Sequence, residues 1–86
     1  MQLKGNQRKY LRSLAHHLNP QVIVGKNKLS DSTIKFIKES LDIHELIKVK
    51  FNDNEFKKIS KKSIEQLTNS NIVGDIGKIL ILYHYQ

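Results

Sequence analysis

Arg8 and Arg12 are the only arginines in this chain of 86 residues, and they stand four apart in the stretch GNQRKYLRSLAHHL. On a helix that spacing sets two guanidinium forks side by side, on a sector that also carries Lys9 and His16. A planar fork donates parallel hydrogen bonds to a phosphate, so such a pair suits a phosphodiester backbone. A second basic point lies in VIVGKNKLSDSTI, residues 22 to 34, where Gly25 ends a β-branched run and Lys26 and Lys28 flank Asn27. Ser30 then opens a helical pattern, and the unpaired N–H groups at a helix N-terminus attract anions. Gly25 lets the main chain turn and lets a ligand come close, while the Asn27 amide can donate to a phosphate or tolerate a left-handed conformation. A plain strand-to-helix connector with solubilising lysines fits the local pattern almost equally well. The net charge of +7 tips the reading toward phosphate contact. Lys48 and Lys50 share one side of an alternating run, where a contact to a polyanion and an ordinary place on a sheet face are equally open.

Other chemistries find little support. No phosphate-binding G-x-x-x-x-G-K-[ST] loop is present, and GKNKLS resembles one only superficially. His16, His17, His44 and His84 lack metal-ligand spacing, and the acidic residues form no pair suited to general acid and base work. No catalytic residue, metal ligand or cofactor is expected, nor a small-molecule substrate. The chain has no cysteine, which excludes disulfides and cysteine-ligated zinc and makes a reducing cytosol the simplest home. No apolar run approaches the roughly 20 residues that cross a bilayer, and MQLKGNQRKY lacks the pattern of a secretory leader. Fifteen basic against eight acidic residues, with a pI near 9.8, point to a polyanionic partner. Thirteen of the fifteen are lysine, beside abundant Ile and Asn, a composition that also fits an AT-rich genome.

These residues need a scaffold, and 86 residues suffice for one domain, 1–86, with one modest core. Residues 5 to 18 place Leu11, Leu14, Ala15 and Leu18 on one helical stripe, which Asn19 and Pro20 end. Residues 21 to 24, QVIV, read as a buried strand. Ser30 caps a second helix with Ile34, Ile37 and Leu41 inward and Asp31 in its first turn. ELIKVKF, residues 45 to 51, alternates: Ile47, Val49 and Phe51 share a covered face, and Lys48 and Lys50 a wet, basic one. Asn52 with Glu55 resembles a capping box opening a third helix. In that helix Phe56, Ile59, Ile64 and Leu67 face inward, and Lys57, Lys58, Lys61 and Lys62 face solvent. NIVGDI and KILILYHY read as two strands joined at Gly77-Lys78, with glycine where a type II′ hairpin turn needs it. Right-handed crossovers then make the first three strands parallel and the hairpin reverses the last. The expected fold is a two-layer α+β domain of order α-β-α-β-α-β-β. Its four-stranded mixed sheet carries helices on one face and leaves the other open to solvent.

In their order and spacing, RKYLRSLAHHLNP, VIVGKN, ELIKVKF and the closing Gly-Lys hairpin with ILILY resemble the CRM domain, the chloroplast RNA splicing and ribosome maturation module. The likeness extends over almost the whole chain and is strongest to the stand-alone bacterial YhbY-like members. It implies a fold similar to the C-terminal domain of bacterial translation initiation factor three. It also implies a monomeric, cytoplasmic, non-enzymatic protein that binds structured ribosomal RNA in precursors of the large ribosomal subunit. The family's G-x-x-G loop, usually Gly-Lys-Asn-Gly, maps onto Gly25, Lys26 and Asn27. Lys28 stands where the second glycine is expected, exchanging backbone freedom for charge. Arg8 and Arg12 match the family's basic first helix. Phe36 falls off the inner stripe at a place where such proteins tend to be polar; stacking on a base and packing against neighbours are both open to it. The alternative to RNA binding is a module that docks on a ribosomal or translation protein, with the basic surface serving solubility.

Overall fold

The structure is a computed structural model that describes residues 3–25 and 29–85. Three helices and four strands follow in the expected order: α1 (Gly5–Ala15), β1 (Val22–Val24), α2 (Asp31–His44), β2 (Leu46–Phe51), α3 (Asn54–Thr68), β3 (Asn71–Ile76) and β4 (Ile79–Tyr83). The sheet order is β1-β2-β4-β3. β1 and β2 pair in parallel, Val22 beside Val49 and Val24 beside Phe51, and β4 is antiparallel to both β2 and β3. The first three strands therefore run in one direction, as expected, with the returning strand inserted between the second and third.

Local chemistry sets the element ends. The Ser30 hydroxyl accepts the Thr33 N–H at 3.2 Å, making Ser30 the cap of α2. α3 begins one residue later than the Asn52 reading, because the Asp53 carboxylate accepts the Phe56 N–H at 2.9 Å and caps it instead. α1 ends at Ala15 rather than at residue 18: the Leu18 N–H bonds the Ala15 carbonyl at 2.9 Å, a tight closure that carries Leu18 back to the sheet. Gly77 takes φ +56° while Lys78 stays at negative φ, the type II′ pattern.

Alternation along the strands divides the apolar side chains between two faces. On one, Val22, Val24, Ile47, Val49, Phe51, Leu80 and Leu82 pack with Ile37 and Leu41 of α2 and Ile64 of α3. On the other, Val73 and Ile81 pack with Ala15 of α1, flanked by Leu11, Leu18, Leu46, Ile79 and Tyr83. This corrects the two-layer expectation: α2 and α3 share one face, but α1 covers part of the other. The unbroken apolar run ILILY of the inner strand β4 is the physical reason, since a strand buried on both sides needs apolar residues at every position. At the β1 edge of that second face Ile23 stays exposed.

The inner line of α3 also differs from expectation. Lys57, Ser60, Ile64 and Thr68 are buried, whereas Ile59 is 73% exposed and Leu67 faces solvent. Lys57, only 3% exposed, donates to the Gly77 carbonyl and pairs with Asp75, which Lys61 also contacts at 2.7 Å. The lysine expected in solvent thus ties α3 to the β3–β4 hairpin. On the exposed side of α2, Phe36 packs into neither core.

Candidate nucleic-acid interface

Gly25 leaves β1 at the end of the sheet where β2 finishes and the β3–β4 hairpin turns. The Asn52 N–H bonds the Val24 carbonyl at 3.1 Å, and the Phe51 N–H bonds the Lys78 carbonyl at 2.8 Å. Gly25 has no left-handed φ; a Cβ there would lie 3.2 Å from the side-chain nitrogen of Asn52, a close approach that glycine permits. Lys26, Asn27 and Lys28 lie outside the described residues. Beyond them Leu29 packs against the core, and the hydroxyls of Ser30, Ser32 and Thr33 gather at the start of α2.

On α1 the two arginines have partners that their spacing did not reveal. Arg8 donates to the Ile72 carbonyl at 2.6 Å and Arg12 to the Val73 carbonyl at 2.9 Å. Both carbonyls belong to the edge strand β3 at the irregularity between Ile72 and Gly74. The Ile72 N–H there is taken by the Glu65 carboxylate at 3.0 Å. Each bond engages one terminal nitrogen of a group that carries five N–H donors, so both arginines can hold the strand and still offer donors outward. Gly74 makes the approach possible, for a Cβ on it would meet Ile81 Cδ1 at 2.8 Å and Arg12 Cγ at 3.2 Å.

Arg12 also lines a shallow concavity of about 600 Å3 with Lys9, Ser13, His16, His17 and Ile76. The imidazoles of His16 and His17 meet edge to face, with centroids 5.4 Å apart. Lys48 is half-buried rather than fully wet. Its amine reaches the His16 carbonyl at 3.5 Å, at the end of α1 where a cation complements the helix dipole. Lys50 is exposed and lies opposite Ile79. The structure thus joins Lys9, Arg12 and His16 in one groove, sets Lys48 beside it, and places Gly25 and Lys50 at the same end of the sheet. Two further basic residues at this end, His17 and Lys78, were missed. The first follows the last helical turn, and the second had been read only as a turn residue. The α3 side is less basic than its four lysines suggest, because Asp75 engages Lys57 and Lys61.

Among the described residues no group of three His, Cys, Asp or Glu side chains could hold a metal, and no helix is long and apolar enough to cross a membrane.

An α+β domain with a basic first helix and a glycine at the end of its first strand is the class these observations define. The chain belongs to the CRS1 / YhbY (CRM) domain family, whose pattern matches residues 3–84. It is 42% identical over 83 residues to a Haemophilus influenzae protein named "RNA-binding protein", a match spanning 94% of this chain and 84% of that one. It is 41% identical over 83 residues to "Probable RNA-binding protein YqeI" of Bacillus subtilis, spanning 94% of this chain and 86% of that one. The fold is that of the hypothetical protein SAV1595 from Staphylococcus aureus, solved in solution: TM-score 0.83 and 34% identity, over 99% of this chain and 91% of that one.

Proposed function

We propose that this protein binds structured RNA without catalysing a reaction on it, and that its target is ribosomal RNA in precursors of the large ribosomal subunit. The observation that carries the reading is the convergence of Lys9, Arg12 and His16 in one groove, with Gly25 and Lys50 at the adjoining end of the sheet. The names of the relatives support RNA as the polymer. In this reading Lys26, Asn27 and Lys28 grip the backbone beside the start of α2, and Arg8, Lys9 and Arg12 extend the contact along α1. Lys48 and Lys50 continue it over the uncovered part of the sheet. Affinity then depends on salt and on RNA shape more than on sequence. The protein acts as a cytoplasmic monomer. Gradient sedimentation of cell extract tests the ribosomal assignment: co-migration with large-subunit precursors is expected, and a wholly free pool under all conditions contradicts it.

A second reading is favoured by one feature. Phe36 and Ile43 of α2, and Ile59 and Leu67 of α3, are exposed apolar side chains on the two helices that pack together. Such side chains suit a protein partner. Capture of a ribosomal or translation protein that survives both ribonuclease and high salt would support docking on that partner as the main function.

A further inference from the structure

All three tyrosines of the chain, Tyr10, Tyr83 and Tyr85, line one groove of about 440 Å3, together with Leu3, Leu11, Asn6 and Gln7. The groove lies where α1 begins and β4 ends. A helical rotation of 100° per residue places Gln7 and Tyr10 on the opposite flank of α1 from Arg12 and His16. It is therefore separate from the basic groove. Tyr10 is 63% and Tyr85 65% exposed, and neither ring belongs to a core cluster, so neither is explained by folding. Among the described residues the three rings make no stacking contact with one another. The two amides are oriented: the Gln7 side-chain oxygen accepts the Lys4 N–H at 2.8 Å, and the Asn6 oxygen accepts the Gln7 N–H at 3.0 Å. With both oxygens engaged by backbone, each NH2 group is the end left to recognise a ligand, as a donor. Burial pushes the Tyr83 phenol above its ordinary pKa, with Glu45 and Tyr85 adding to the effect.

We infer that this groove holds an unpaired nucleobase of the bound RNA, an inference that rests on the RNA-binding reading above. The occupant follows from the combined chemistry. Aromatic faces and an apolar floor of Leu3 and Leu11 suit a flat, weakly hydrated ring. The amide donors match the acceptor atoms on a base edge, and Lys4, whose N–H bonds the Gln7 side chain, supplies a cation for the attached phosphate. Among the described residues the groove lining includes no acidic side chain, and the one carboxylate that acts on it is that of Glu45, through Tyr83.

The protein has no tryptophan, so its intrinsic emission comes from these three tyrosines alone. The test compares a hairpin RNA bearing a 3′ overhang of three adenosines with the same hairpin bearing three abasic residues. Tyrosine emission and anisotropy of a labelled hairpin are read in parallel. The adenosine hairpin should quench emission saturably, with the anisotropy midpoint, and bind about 5- to 140-fold more tightly than the abasic one, the span expected from stacking one base. Tyr10→Ala/Tyr85→Ala should lose that gain and keep the affinity of the abasic hairpin, whereas Tyr10→Phe/Tyr85→Phe should retain it. Equal binding of both hairpins, unchanged by the alanine variant, overturns the nucleobase site and leaves RNA binding intact. Failure of both hairpins to bind at any salt concentration overturns both readings together.

Discussion

At the scale of single residues, the cations of α1 separate into two kinds. Lys9 is exposed and contributes charge to the groove alone, whereas Arg12 also holds the Val73 carbonyl. Lys9→Ala should weaken RNA binding about 3- to 10-fold at low salt while stability stays within about 0.5 kcal/mol. Arg12→Ala should weaken binding and also cost about 1.5–3 kcal/mol, the usual worth of a hydrogen bond to a charged group. Anisotropy and urea unfolding separate these effects. Asp75 gives a second test. The Lys57 hydrogen bond, then that of Lys61, holds its carboxyl below the ordinary value of 3.8, against an opposing effect of burial. The unfolded chain therefore binds the Asp75 proton more readily than the folded one. This contribution to stability is fully present above the ordinary value and is lost as pH falls through the lower folded one. In Asp75→Asn the decline in stability below about pH 4 should be shallower than in the parent, as followed by urea midpoints across the acid range. Equal acid sensitivity would show that the Lys57–Asp75–Lys61 cluster does not set it.

At the scale of elements, caps and close approaches make the sharpest predictions. Asp53→Ala should cost about 1 kcal/mol by leaving the Phe56 N–H without its partner, and Asn52→Ala less than half as much; chemical denaturation of both variants checks the order. Gly74→Ala should cost about 1–3 kcal/mol, because the added methyl presses on both Ile81 and the Arg12 stem, and the same assay reads it. Much at this scale was legible in the sequence. Period 3.6 located the helices, alternation located β2 and short apolar runs located the other strands, while Ser30 announced its cap and Gly77-Lys78 its turn. What escaped notice depends on long-range partners. Lys57 reads as a solvent residue until Asp75 and the Gly77 carbonyl are brought above α3. Arg8 and Arg12 look like free cations until β3 offers them carbonyls. ILILY did carry its signal, for its lack of alternation announces a strand covered on both faces. The tyrosines were hidden because they lie 73 and more residues from Tyr10 along the chain, and only the placement of α1 against the end of β4 joins them.

For the whole molecule, the packing of α1 against the sheet is what turns scattered cations into a surface. A helix docked beside α2 and α3 would have left Lys9, Arg12 and His16 away from Lys48 and Lys50. Docked across β3 and β4, it brings its C-terminal end over Lys48. The insertion of β4 between β2 and β3 could not be read from local pattern, since strand order is decided by tertiary pairing. Yet it is this insertion that sets the hairpin turn at the same end of the sheet as Gly25. The central claim, that this end and the adjoining face of α1 bind RNA through phosphate contacts, is tested most directly by one titration. A structured fragment of large-subunit ribosomal RNA is measured by anisotropy at 50 and 200 mM salt, with the parent protein and with Lys9→Ala/Lys26→Ala. Three or four phosphate contacts predict a loss of affinity of about 40- to 150-fold across that range for the parent, and a visibly shallower slope for the variant. Absence of binding at 50 mM salt, or identical affinities and slopes for the two proteins, would contradict it.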